Sequence, residues 1–524
     1  MHSVKQRALS LSAAAALALT LAACGSNTAQ AGSESSGGEE QDLVLSQDQV
    51  TLDGQVLSEG EDGAVTLSHD IVYYQEGQGS DYGEGTAQEE HSADEAAAHL
   101  VVTIREAGTY RVSGELTQGQ LAVDLGEDAQ DDPDAVVTVI LDGVDVTCTV
   151  APAFMVYNVY ECGSTDVETA SPTVDTAAAG INVVLADGSE NTFTGSHVAR
   201  IYEEGTTDKL HKYDGAFYSK MSMNIGGESE GTGVLNIDGD NEGLDSELHL
   251  TINGGVINIR AQNDGINTNE DGVSVTTING GTLQINAGLG AEGDGIDSNG
   301  YLVVNGGTVL TTANPQAGEG GIDSDSGICL NGGTVIALGS RNDSAAADSA
   351  QALIELTFRT TVPEDSEVEL RDSEGTAVVS FTAPRDFSSA TLSAPELAWD
   401  STYTLWVDGV QQQYTGTCTM DAPGGGGGGQ PPEGMEPPGD GPAEGGGTPP
   451  AEEPPAGETP PEPTGTPSQG EGMEPPEGGQ PPEGMAPGGR LGDGGAADEP
   501  GETAFVITAD SHAFQGVGDL VSGE

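Results

Sequence analysis

Positive charge is what this sequence most lacks: 14 Lys and Arg stand against 86 Asp and Glu, a formal charge of −72 over 524 residues. So anionic a chain repels phosphate backbones and acidic headgroups, which excludes nucleic acid as a partner and direct adhesion to an anionic membrane. Cations, basic partners and neutral surfaces stay open. Aromatic residues are only 4% of the chain and Trp occurs twice, so a sugar site paved with stacked rings is poorly provided for. Long apolar runs are missing too. The one at residues 8–23 is too short for an ordinary membrane span.

That run follows Lys5 and Arg7 and ends in Leu-Ala-Ala-Cys at 21–24. It resembles a bacterial lipoprotein signal, and the resemblance implies cleavage before Cys24, lipidation of its thiol and anchoring at the extracellular face of the cell membrane. Four cysteines then remain. Cys148 and Cys162 are close enough in sequence to pair across a turn in an exported compartment, which makes them a disulfide candidate. The pairing of Cys329 and Cys418 stays open.

What the chain does have is a repeat. Asn-Gly-Gly stands at 253–255, 279–281, 305–307 and 331–333, each 26 residues from the last. A second phrase precedes each one: Glu-Gly-Leu-Asp-Ser at 242–246, Asp-Gly-Ile-Asn-Thr at 264–268, Asp-Gly-Ile-Asp-Ser at 294–298 and Gly-Gly-Ile-Asp-Ser at 320–324. A period in this range marks a solenoid, and its variation fits a coil carrying optional loop insertions. Apolar residues alternate at period two on both sides of the Asn: Leu250 and Ile252 before it, Ile257 and Ile259 after it, and so on in each repeat. That is strand, turn, strand, with one apolar face. Strands this short bury little alone, so stacking at the usual strand spacing of about 4.8 Å is expected. The fold class expected is all-β: a right-handed parallel β-helix followed by a small antiparallel β-sandwich-like region.

The organisation follows from composition. Residues 1–23 read as the signal peptide, 24–42 as an acidic tether, 43–345 as the β-helix and 346–421 as the antiparallel region. Residues 422–502, rich in Gly, Pro and Glu, read as a disordered linker, and 503–517 as a terminal strand that returns to the antiparallel region. Trp399 and Trp406 lie in apolar alternation there, which favours a core role over sugar stacking.

The ordered series of repeats, with Lys-Tyr-Asp-Gly-Ala-Phe-Tyr-Ser-Lys at 212–220, Ala-Gly-Thr-Tyr-Arg-Val-Ser-Gly at 107–114 and Thr-Tyr-Thr-Leu at 402–405, resembles a family of bacterial carbohydrate-binding proteins. The resemblance covers residues 44 to 421. It implies a pectate-lyase-like β-helix, calcium, and attachment to cellulose or acidic plant polysaccharides such as polygalacturonate.

Stacking would align Asp245, Asn267, Asp297 and Asp323 in one column, and Glu247, Asn269, Asn299 and Asp325 in a second. Calcium favours such hard oxygens. Asp238, Asp240 and Glu242 begin like an EF-hand loop but meet His249 where the loop needs Glu. With Asp264 and Asp294 they complete the candidate metal ligands, and turn caps are the plainer reading of the same residues. Outward Thr251, Thr277, Thr282 and Thr308 with Asn258 and Gln284 form a candidate carbohydrate-binding ribbon. Lys209, Lys212 and Lys220 are a second candidate, for acidic sugars. No catalytic residue is assigned. A lyase would need calcium with Arg260 or a lysine as base, and a hydrolase would need paired carboxylates. A purely structural surface rod is the third reading.

Overall fold

The structure is a computed structural model that describes residues 40–75, 88–202, 209–346, 349–417, 505–507 and 513–520. The signal, Cys24, most of the tether, the linker and Cys418 lie outside the described residues. The described chain is nearly all β, with one four-residue α-helix at Ala93–Ala96. No helix among the described residues is long and apolar enough to cross a membrane.

Three ladders of parallel strands carry the repeat. The first runs through Ile181–Leu185, Met223–Gly227, His249–Ile252, Val275–Ile278, Tyr301–Val304 and Gly327–Leu330, each pairing in parallel with the next. The second runs through Glu190–Gly195, Val234–Gly239, Val256–Ala261, Thr282–Asn286, Thr308–Thr312 and Thr334–Gly339. The third holds Leu100–Ile104, Gly119–Asp124, Phe154–Asn158, Gly215–Ser219, Glu242–Ser246, Ile266–Thr268 and Ile296–Ser298. Gly108–Leu116 and Val137–Thr147 bridge the first two ladders at the N-terminal end, where Gln41–Ser46 adds a further parallel strand.

Each Asn-Gly-Gly is the corner between the first and second ladders. Its last glycine takes φ of 89°, 93°, 83° and 79° in the four repeats, a region that a side chain resists. The Asn amides stack: Asn279 donates to Asn253 at 2.9 Å, Asn305 to Asn279 at 3.0 Å and Asn331 to Asn305 at 3.0 Å. These bonds are exposed and contribute about 0.5–1.5 kcal/mol each. The inner columns weigh more. Leu250, Ile252, Ile257, Ile278, Leu283, Leu302 and Leu330 are all fully buried, and each such side chain contributes about 1.5–3 kcal/mol. Burial fixes the register, and the amides trim its edge.

At the C-terminal end the mode changes. Thr334–Gly339 pairs antiparallel with Phe387–Ser393, which pairs antiparallel with Leu353–Val362. Ala513–Asp519 runs parallel to Leu353–Val362 and antiparallel to Gln413–Thr417. A second sheet joins Glu367–Asp372, Ala377–Thr382, Ser401–Val407, Val410–Gln411 and Phe505–Ile507. A separate core between the two sheets includes Phe358, Leu370, Phe381, Phe387, Tyr403 and Leu405. The tryptophans depart from their expected place: Trp399 is 46% exposed, and Trp406 is half-buried outside this core.

Cys148 and Cys162 are free thiols, not a disulfide. Cys148 belongs to the core of the coils, where burial pushes its thiol up to about 12. Cys162 lies in the excursion that leaves the coil after Phe154–Asn158, so nearness in sequence does not bring the two together.

Candidate functional site

Two sets of polar side chains stand out, one on each of two ladders. The third ladder carries the acids. Asp245 and Asn267 pair in register, as do Asn267 and Asp297, and the Asp323 amide donates to the Ile296 carbonyl one coil on, which extends the row. The row is deep at one end, with Asp245 fully buried and Asn267 5% exposed, and opens to half-buried Asp297 and Asp323 at the other. Asn269 donates to Asp245. Asn267 Oδ1 is buried and accepts no hydrogen bond.

The electrostatics of this row are those of crowded anions. Burial first, then the charges of Glu242 and Asp297, holds Asp264 well above the usual carboxylate range. Asp294 is pushed up to about 8 by burial, with Asp323, Glu319 and Asp297 adding to it against the Gly320 amide. Asp323 is pushed up to about 7 by burial, then by Asp343 and Asp297. Asp325 is raised by burial, Asp271 and Asp343. Asp271 and Asp343 are members of the cluster that the repeat phrases alone did not mark. Asp264 and Asp294 also cap turns: Asp264 Oδ1 accepts the Asp294 amide at 2.6 Å, and Asp294 accepts the Gly320 amide.

Among the described residues, no three of His, Cys, Asp and Glu gather closely around one point. A cation here would therefore sit between rungs, on carboxylate pairs, with an amide oxygen such as that of Asn267. Buried acids that repel one another beside an orphaned amide oxygen fit a hard divalent ion.

The EF-hand-like stretch is not a loop. Asp238 lies in the strand Val234–Gly239 and faces Arg260 at 3.7 Å. Asp240 accepts from Ser196 at 2.6 Å and pairs with His197 at 3.0 Å, and Glu242 starts the next strand. His249 Nδ1 accepts the Val275 amide, and burial depresses its pKa. Asp238 and Asp240 are thus committed to protein partners away from the acid row.

The second ladder carries the neutral polar groups. Thr282, Thr308 and Thr334 stand in register along its outer side. Beside them, Asn258 donates to Asn236 at 2.9 Å and pairs in register with Gln284. Arg260, exposed, is aligned between Asp238 and Asn286. The polar floor then stops, because Leu310 packs against the C-terminal core and Ile336 lies within it. Arg385 from that region donates to the carbonyls of Ala287 and Gly288. The floor therefore ends at a wall.

The expected ribbon on the first ladder does not form. Thr251 is buried, because Thr176 donates to its hydroxyl at 2.7 Å while the Thr176 carbonyl holds Asn224. The excursion before Ile181 covers that face, and nothing in the repeat pattern marks it. Thr277 stays half-buried beside buried Val303. Lys209 and Lys212 lie in the strand Lys209–Tyr213, with side chains outside the described residues, and Lys220 is half-buried.

A family model described as carbohydrate-binding domain-containing protein matches residues 99–374. Among solved structures, the polysaccharide lyase-like protein from C. thermocellum, as a gadolinium derivative, is similar at 22% identity. The match covers 56% of this chain and 92% of that one, with a TM-score of 0.34. No curated protein matches.

Proposed function

We infer that this chain, which belongs to the carbohydrate-binding domain-containing protein family, binds an extracellular polysaccharide without cleaving it. One observation carries the reading: hydroxyls and amides of consecutive coils stand in register on an open face, at Asn236, Asn258, Thr282, Gln284 and Thr308. Such a row offers an extended sugar chain repeated hydrogen bonds at the strand spacing of about 4.8 Å. The coil is read as right-handed because crossovers between parallel strands overwhelmingly take that hand. Cellulose or an acidic polymer such as polygalacturonate is the proposed ligand, and a lipid on Cys24 the proposed anchor.

Calcium is proposed at Asp245, Asn267, Asp297 and Asp323, with Asp325 at the open end. When bound, it supplies positive charge that offsets the mutual repulsion of these acids. The half-buried end could share the ion with a uronate. Catalysis is disfavoured because Arg260, the candidate base, is aligned between Asp238 and Asn286 on the second ladder and not with the acid row on the third.

The test incubates the protein with amorphous cellulose and with polygalacturonate, with calcium and with chelator. Retention without unsaturated or newly reducing products is expected, and chelator should weaken retention on the acidic polymer most. Accumulation of an unsaturated uronide would replace this reading with a lyase.

The acids also predict a pH trend for the metal-free protein. The fold holds protons on Asp294 and Asp323 that the unfolded chain releases near its usual carboxylate pKa. Their contribution to stability is therefore full at acid pH and is lost as pH rises through about 7 to 8. Melting temperature in chelator should fall between about pH 5 and pH 8, and calcium should oppose the fall. Melting curves that superimpose with and without calcium across that range would refute the cation assignment.

A further inference from the structure

The tryptophan that alternation assigns to the core faces the other way. Along Ser401–Val407, Tyr403, Leu405 and Val407 enter the C-terminal core. Thr404 and Trp406 are left on the outer face of that sheet. There the register sets Glu369 and Gln411 on the strands flanking Trp406, with Ser380 beyond Glu369 and Arg371 opposite Thr404. The Arg371 guanidinium lies 4.3 Å from the Trp406 ring centroid and is ion-paired with Glu369. The indole Nε1 donates to Thr404 Oγ1 at 3.0 Å. The ring is thus fixed before a ligand arrives, so little ordering cost remains for binding.

Charge and shape say what this face suits. Arg371 and Glu369 cancel, which leaves Glu367, exposed on the same side of the strand, as the uncompensated charge of the patch. It lacks the positive excess that a polyanion would need. Arg371 covers one side of the indole, and the uncovered part of this half-buried ring offers an apolar surface, with hydroxyl, amide and carboxylate groups around it as donors and acceptors at its rim. A neutral β-linked glucan presents the complementary pattern, apolar C–H faces edged by hydroxyls.

We propose that this outer face, centred on Trp406, is a second polysaccharide-binding site for a neutral β-linked glucan, separate from the polar face on the coils. Trp406 lies beyond the residues that the family model matches. The proposal rests on the function inferred above for its class of ligand, and adds a second contact to it. Two contacts on one chain strengthen retention on a polymeric surface beyond either alone.

The chain has two tryptophans, so Trp399→Phe leaves Trp406 as the sole indole and its fluorescence reports on this face. Titration with cellohexaose is expected to change the emission saturably, and to do so equally when Asn258→Ala and Gln284→Ala are also present. Hexagalacturonate is expected to leave it unchanged. Trp406→Ala should weaken retention of the full chain on amorphous cellulose about tenfold. Flat emission from a protein that cellulose still retains overturns this site and leaves the polar face standing. Flat emission without any retention overturns both readings. Emission that depends on protein concentration in the absence of sugar assigns the face to a second copy of the chain, and that also overturns the proposal.

Discussion

Phe217→Ala is expected to lower unfolding free energy by about 3–5 kcal/mol, the range for emptying a large aromatic site. Phe217 stacks on Phe154 at 4.1 Å between centroids and meets Phe193 edge-on at 5.1 Å. Phe154 and Phe193 close the triangle at 5.8 Å. All three are fully buried. Phe154 and Phe217 come from the third ladder and Phe193 from the second, so the cluster ties opposite walls of the coil together. Those walls cannot collapse into the cavity, because each backbone is hydrogen-bonded to coils above and below. The midpoint of denaturant unfolding measures the loss. A cost under about 1 kcal/mol would show that the coils do not close around these rings.

Gly295→Ala should do comparable damage by the opposite route. A Cβ there would stand 1.9 Å from Thr311 Oγ1 and 2.4 Å from the Gly321 carbonyl oxygen. The neighbouring positions in the column behave alike: a Cβ on Gly265 would meet Ile285 Cγ2 at 2.2 Å, and one on Gly243 would meet Ile259 Cγ2 at 2.4 Å. The glycine at the second position of each repeat phrase is where one coil passes against the next. The carbonyl is backbone, held by the Ile296 amide and the Thr311 hydroxyl, so it does not swing aside freely, and overpacking of this kind costs about 1–3 kcal/mol or more. The displaced strand carries Asp297, so any gain in melting temperature from calcium should shrink as well. A substituted protein that melts and responds to calcium like the parent would mean that the coils are not stacked this closely.

The repeat was legible because its signal is redundant. Period-two alternation named the inward residues Leu250, Ile252, Ile257 and Ile259, and all four are buried. The Asn of each Asn-Gly-Gly also forms a column. What repeats at fixed spacing must meet its copy when coils stack, so register could be read from letters. Features lying across the repeat could not. Thr251 has the same local spelling as Thr277, yet the excursion carrying Thr176 covers it alone. Asp238 and Asp240 spell the start of a calcium loop, but strand geometry sends one to Arg260 and the other to His197. Trp406 shows a phase error. Tyr403, Leu405 and Val407 alternate just as well as Trp406 with Thr402 and Thr404, and the more apolar set won the inside. The acid row was legible as a column, whereas its burial depended on which loops fold over it.

Retention on insoluble polysaccharide tests the account most directly when the open face is stripped of its polar ends. Asn258→Ala, Thr282→Ala and Gln284→Ala together leave the inner columns untouched, so the melting temperature should hold. The isotherm on amorphous cellulose should weaken at least tenfold, since one of two contacts is gone. A triple variant that folds like the parent and binds as tightly would contradict the claim that rows of side chains on stacked coils hold the sugar chain.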